Sequence, residues 1–136
     1  MRSILLLTVT MLLAGCGLVA QKKTDELLSR STPQDWGMLD ANYDDAERLV
    51  IMQMLKDPDS AKIRFGKPTS GVAYSHGEPV LAWFSPVYVN AINSFGGYVG
   101  EKPYAFSYRC QANKNCKLIK YAIPDNKRSG ELDWQE

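Results

Sequence analysis

Apolar positions along the chain fall into three zones with different spacing. The first is a continuous run, Ile4-Leu5-Leu6-Leu7-Thr8-Val9-Thr10-Met11-Leu12-Leu13, behind Met1-Arg2-Ser3 and ahead of the small pair Ala14-Gly15. A positive start, an apolar stretch and small residues before a cut form a secretory signal layout. The stretch is too short for a hydrocarbon core, which needs about 20 apolar residues in a helix. From Gly17 to Pro33 the pattern turns mixed and polar, with Gln21-Lys22-Lys23-Thr24-Asp25-Glu26 and Ser29-Arg30-Ser31-Thr32-Pro33. That segment, with Cys16, predicts a flexible tether over 16–34 with a root-mean-square reach of about 20 to 25 Å. The second zone has helical spacing. Asp44 to Lys56 carries acids in its first turn, a lysine in its last and Asp57-Pro58 as a stop. Ala46, Leu49, Val50 and Met54 form its predicted apolar face, widened by Ile51, Met52 and Leu55.

Beyond Pro58 the spacing becomes β-like, with runs at 61–65, 71–74, 80–84, 87–93, 104–111 and 116–123. Tyr104, Phe106 and Tyr108 alternate with Ala105, Ser107 and Arg109, giving one aromatic face. Pro79 and Pro86 bracket Val80 to Ser85, and a proline donates no ladder hydrogen bond, so that run is expected to end at a bulge or lie near a sheet edge. Leu132 and Trp134 sit in a polar tail that either docks back or stays free, and Trp36, Tyr43 and Trp134 either finish the core or form a surface patch.

Leu13-Ala14-Gly15-Cys16 resembles the lipobox of bacterial lipoproteins. The resemblance implies cleavage of 1–15 and a lipid on Cys16 as the one covalent attachment, with no cofactor. Gly17 stands where an aspartate favours inner-membrane retention in enterobacterial lipoproteins, so it implies the outer membrane, with the domain facing the periplasm. Two or more acyl chains suffice for stable anchoring at about 0.8 kcal/mol per buried methylene. With Cys16 lipidated, Cys110 and Cys116 remain as an exported pair around polar Gln111 to Asn115, and a disulfide stapling a hairpin is expected. If they lie opposite each other, Tyr108 faces Leu118, Tyr104 faces Ala122 and Lys120 faces Phe106. A metal site is not expected, because His76 is the only histidine and no further cysteine is free.

The chain holds 16 basic and 15 acidic residues, and removal of Arg2 with the signal makes the two equal, leaving no electrostatic case for nucleic acid. Chemistry is sparse. Ser70, Ser75, His76 and Glu78 are close in sequence and raise a hydrolase reading, but the stretch reads more simply as a polar loop between strands. The segment Asn93-Ser94-Phe95-Gly96-Gly97-Tyr98 has two readings: a structural turn whose aromatics close the core, or an exposed recognition loop. No lysine with a following serine or threonine comes after its glycines, so it is not a phosphate loop.

Leu55-Lys56-Asp57-Pro58-Asp59-Ser60-Ala61-Lys62 together with Val89-Asn90-Ala91-Ile92-Asn93-Ser94-Phe95-Gly96-Gly97-Tyr98-Val99-Gly100 resembles a family of small exported bacterial and phage-associated proteins of unknown function. The resemblance covers about Glu47 to Tyr108 and implies an α+β fold without assigning catalysis. Ser85-Pro86 departs from it, standing where cysteine-glycine often precedes the valine-asparagine motif. A shorter stretch, Ser70 to Gly77 followed by Trp83, resembles the membrane-bound lysozyme inhibitors and implies Ser70 and Tyr74 as inhibitor contacts.

These readings combine into one expectation. The domain over 35–136 is α+β, with one N-terminal helix packed on a small antiparallel sheet and a disulfide-stapled C-terminal hairpin. Function is expected to be non-enzymatic: an outer-membrane lipoprotein presenting a periplasmic protein-binding domain, an accessory of envelope secretion, conjugation or phage exclusion. Its expected partners are the membrane, through the lipid, and an envelope protein. No small-molecule substrate is identified from sequence.

Overall fold

The computed structural model describes residues 4–111, 114–124 and 132–135. Its first element corrects the expected tether, because the chain forms one helix, α1 (Ile4–Arg30), through Cys16 and most of the segment read as flexible. The residues from Leu18 to Arg30 are mostly good helix formers with no proline among them, and Gln21 donates to Asp25 one turn on (2.8 Å). Pro33 restricts Thr32 to extended backbone and ends the run. The helix also docks: Tyr74 donates its hydroxyl to the Ala20 carbonyl (3.1 Å) and lies 2.6 Å from Thr24 Oγ1, while Lys23 pairs with Glu78.

Residues 31–42 strap the sheet. Asp35 accepts from both the backbone N–H and the hydroxyl of Thr32, closing a single 3-10 turn at Pro33–Trp36. Trp36 Nε1 donates to Gly71 O (3.0 Å), and Trp83 Nε1 donates back to Trp36 O (3.1 Å). Gly37, with φ at 63°, brings the strap so close to Cys110 that a Cβ there would lie 3.0 Å from the Cys110 Cβ. Trp36 is half-buried, and Tyr43 sets its ring edgewise on buried Tyr108, so both serve the core.

Helix α2 (Tyr43–Met54) occupies most of the predicted span, with Asp44 and Asp45 in its first turn. Its buried face matches the predicted one only in part: Ile51 is fully buried and Val50 packs beside it as expected, but Glu47 is fully buried too, whereas Leu49 is 64% exposed and Ala46 faces solvent. Apolar residues nearly surround this helix, so spacing alone did not fix its rotation.

The strands are β1 (Lys62–Phe65), β2 (Thr69–Ser75), β3 (Glu78–Asn90), β4 (Lys102–Gln111), β5 (Lys114–Pro124) and β6 (Leu132–Gln135). They form one antiparallel sheet in the order β1, β3, β4, β5, β6, with β2 pairing β3 beyond the end of β1. Strand β3 joins two runs that Pro86 was expected to separate. Pro86 fits because the same edge of β3 faces the interruption between β2 and β1, where Gly66 N donates to Pro86 O (2.7 Å) and no ladder donor is required of the proline. The tail does return, since Ala122 of β5 pairs with Trp134 of β6. The residues between those two strands, and the hairpin tip at 112–113, lie outside the described residues.

One sheet face builds the core. Val87 and Val89 of β3 and Tyr104, Phe106, Tyr108 and Cys110 of β4 pack against Ile51 of α2. The predicted register holds at the disulfide end, with Arg109 opposite Lys117 and Tyr108 opposite Leu118. Past that point it is corrected by a bulge at Ile119, which puts Lys120 opposite Ser107 and Ala122 opposite Ala105. The bulge takes Lys120 away from Phe106 and sets Tyr121 there instead, its ring stacked at 6.3 Å. Cys110 and Cys116 are joined across the β4–β5 hairpin. The fold is therefore α+β with a disulfide-stapled hairpin as expected, carrying two helices rather than one.

Candidate functional site

The two motifs that are distant in sequence meet in space. The backbone after β3 leaves the sheet at Ala91 and returns through an isolated bridge between Ile92 and Tyr98. Asn93 organises the turn between them: its Oδ1 accepts from Phe95 N (2.9 Å) and Gly97 N (3.1 Å), while its own N–H donates to Gly97 O (2.9 Å). Gly96 supplies the one left-handed residue within that turn, at φ 82°. The leucine-lysine-aspartate-proline turn then buttresses the loop. Ile92 N donates to Ser60 Oγ (3.1 Å), Tyr98 donates to Ser60 O (3.1 Å), and Lys56 donates to Ser94 Oγ (3.0 Å). Asp57 fixes Ser60 in turn through its N–H (3.3 Å), and Lys62 lies over the Tyr98 ring at 4.5 Å. At the loop's exit Gly100 N donates to Asn90 Oδ1, and Glu101 takes a two-pronged pair from Arg64, which holds its carboxyl below the usual range.

These contacts treat the two aromatics of the loop differently. Tyr98 is tethered by its hydroxyl, but Phe95 is 96% exposed and closes no core. The turn fixes the Phe95 backbone through its N–H, while the ring itself stands in water. Beside the loop is a half-open cavity of about 320 Å³ between the end of α2, the end of β3 and the start of β4. Leu55, Val89, Ile92, Tyr104 and Ile123 supply apolar wall, and among the described residues Lys56 and Lys102 are its charged ones.

A second constellation went unnoticed in the sequence. Glu47 of α2 is fully buried against the sheet, where Ser85 donates its hydroxyl to Glu47 Oε2 (3.0 Å) and Tyr108 hydrogen-bonds the same carboxyl. Oε1 has no partner. Burial pushes the Glu47 carboxyl up to about 7, against the opposing hydrogen bonds and with a smaller contribution from nearby Asp44. Burial likewise raises Tyr108, with the Glu47 charge adding to it, and raises Tyr43 beside them. The sequence did contain a cue: Glu47 occupies the stripe of Val50, Ile51 and Met54 at helical spacing. Ser85 and Tyr108 are the residues that hold this acid.

The remaining candidates separate. Ser70 is exposed on β2, and Tyr74 is 37% exposed with its hydroxyl engaged by α1. Ser75 Oγ lies 3.1 Å from His76 Nδ1 at the β2–β3 turn, where His76 has φ 51°, and Glu78 beyond the turn is paired with Lys23. Ser75 and His76 are thus together, but Glu78 is turned to α1 rather than to the imidazole, and Ser70 lies further down β2. Cys16 falls within α1. Among the described residues, no cluster of histidine, cysteine and carboxylate side chains is arranged to hold a metal, and no helix is long and apolar enough to cross a membrane. No family model matches the chain, and no curated protein or solved structure does.

Proposed function

We propose that the protein is a non-enzymatic lipoprotein of the outer membrane, anchored through Cys16, that presents its domain to the periplasm and binds an envelope protein through the Asn93–Tyr98 loop. The observation that carries this reading is Phe95, 96% exposed at the tip of a loop braced from beneath by Ser60, Lys56 and Asn93. An aromatic side chain on a fixed backbone suits an interface anchor because it brings large apolar area with only its two side-chain torsions left to order. The lipobox supports anchoring, and its apolar run is too short to act as a spanning helix.

The test replaces Phe95 with a photo-crosslinking phenylalanine analogue in intact cells and identifies what is captured. One reproducible envelope protein, lost when Cys16→Ser is added and absent when the analogue sits at His76, is expected. Capture that is equally strong from position 76, or unaffected by Cys16→Ser, would refute the assignment of the loop or of the anchor respectively. Phe95→Ala should leave stability within about 0.5 kcal/mol, as for surface positions generally, so loss of the partner in that variant is a loss of contact.

A further inference from the structure

We propose that Leu18 and Val19 form a membrane-contact surface, seated in the boundary between headgroups and acyl chains of the bilayer that holds Cys16. This contact rests on the lipidation of Cys16 proposed above, and it adds the surface on which the domain sits. Leu18 is 71% and Val19 59% exposed, although both are branched aliphatic residues on the helix that docks against the sheet. The docked face of that helix is a different one. Ala20, Thr24 and Leu27 are its half-buried positions, and Tyr74 fixes them to β2 through Ala20 O and Thr24 Oγ1. Around the helix axis Leu18 lies about 160° and Val19 about 100° from Ala20, so neither turns inward while Ala20 is docked.

Position along the axis points to what covers them instead. At about 1.5 Å per residue, Leu18 stands roughly 3 Å and Val19 roughly 4.5 Å along the helix from the residue that carries the acyl chains. Apolar side chains of interfacial helices sit about 5 to 10 Å into the boundary of headgroups and acyl chains, so a pair this close to the lipid falls within that layer. The sequence changes character where the layer ends: Leu18-Val19-Ala20 is apolar, whereas Gln21 to Glu26 is polar throughout. Cleavage after Gly15 leaves the first N–H groups of the helix without carbonyl partners, and headgroup oxygens are there to accept them.

The full lipidated protein in nanodiscs, with its alanine, leucine and valine methyl groups isotope-labelled for NMR, tests this on the native side chains. Leu28 is the control, because it is 42% exposed on the same helix but about 15 Å further along it than Leu18. The Leu18 and Val19 methyls should be broadened by lipids bearing a nitroxide on the acyl chain, and should lose most of the broadening that a water-soluble gadolinium chelate causes at Leu28. The double variant L18Q/V19Q should raise gadolinium broadening at the Ala20 methyl with the thermal midpoint unchanged, since both side chains stand clear of the domain. Gadolinium broadening at Leu18 and Val19 equal to that at Leu28, in protein that stays with the nanodisc, overturns this surface and leaves the anchor standing. Protection from gadolinium without broadening by the lipid nitroxide also overturns it, because a second copy of the chain is then the cover. An unchanged Ala20 signal in L18Q/V19Q does the same, because nearness to the lipid and not the two side chains would then keep the chelate away. Protein that fails to stay with the nanodisc overturns the anchor, and this surface with it.

Discussion

Replacing Glu47 with glutamine should remove most of the pH dependence of stability between pH 4.5 and 8. The folded chain keeps the Glu47 proton up to about pH 7, whereas an unfolded chain releases it near 4.5. Over that interval the folded state binds more protons, so stability is full below about pH 4.5 and falls as pH rises through about 7. At about 1.4 kcal/mol per unit, the interval amounts to ~3 kcal/mol, read as an upper figure because real interiors relax and admit water. Glutamine keeps the shape and can still accept from Ser85, but it aims an amide N–H where Oε1 has no partner. That unsatisfied donor costs about 1 to 3 kcal/mol at every pH. The variant should therefore be the less stable protein at pH 4.5 and draw level with or overtake the wild type by pH 8.

Urea unfolding with the disulfide intact, followed by the fluorescence of Trp36 and Trp83, measures this directly. Lowered carboxyls elsewhere do not confound it. Asp35, held by Thr32, and Glu101, held by Arg64, change their contribution below the ordinary carboxylate range, where stability falls with falling pH. Parallel curves for wild type and Glu47→Gln across pH 4.5 to 8 would refute the reasoning. A third variant, Glu47→Ala, strands Ser85 and Tyr108 beside a void and should lose about 2 to 4 kcal/mol, with no crossing at high pH.

The other expectations are simpler. Cys110→Ser with Cys116→Ser should lower stability by about 2 kcal/mol, the low end for a disulfide, because the closed loop is short; an unchanged urea midpoint would count against a stapling role. Tyr74→Ala removes the hydroxyl that holds Ala20 and Thr24, so brief trypsin treatment should cut at Lys22 or Lys23 faster than in wild type, and equal cutting would mean that α1 is not held there. Asn93→Ala should speed amide exchange at Phe95 and Gly97, whose N–H groups it leaves without their acceptor, while shifting global stability by less than about 1 kcal/mol, as suits an exposed loop.

What the sequence made legible was set by local chemistry. Helix α2 was visible because acids at its start and Asp57-Pro58 at its end act within a turn of the residues they affect. The disulfide hairpin was visible because oxidised cysteines so near in sequence have few partners. The failures share a different cause, which is that their explanation lies on another strand or helix. Pro86 reads as a stop, yet the gap that accommodates it belongs to the connection between β1 and β2. Lys120 reads as facing Phe106, yet the bulge at Ile119 moves it to Ser107. Glu47 reads as helix-start charge, yet Ser85 and Tyr108 are what receive it. The segment over 16–30 reads as a tether because its polarity suits one, and Tyr74 and Glu78, far along the chain, give its helix somewhere to dock.

That last correction changes how the proposed anchor and the proposed contact relate. With a flexible tether, the distance between membrane and partner would be set by chain statistics. With α1 docked, Cys16 precedes the Ala20 contact by about one helical turn, or roughly 6 Å. The docking site is the β2–β3 hairpin, at Tyr74 and Glu78, and the Asn93–Tyr98 loop begins beyond Asn90, at the other end of the same strand β3. Thirteen residues of strand at about 3.3 Å each make roughly 40 Å of contour between the two ends. The strand, rather than the tether, is then what holds Phe95 away from the lipid, and Tyr74→Ala should change crosslinking from position 95 without altering a single residue of the loop. Identical crosslinking in that variant would return the spacing role to the chain before Thr32.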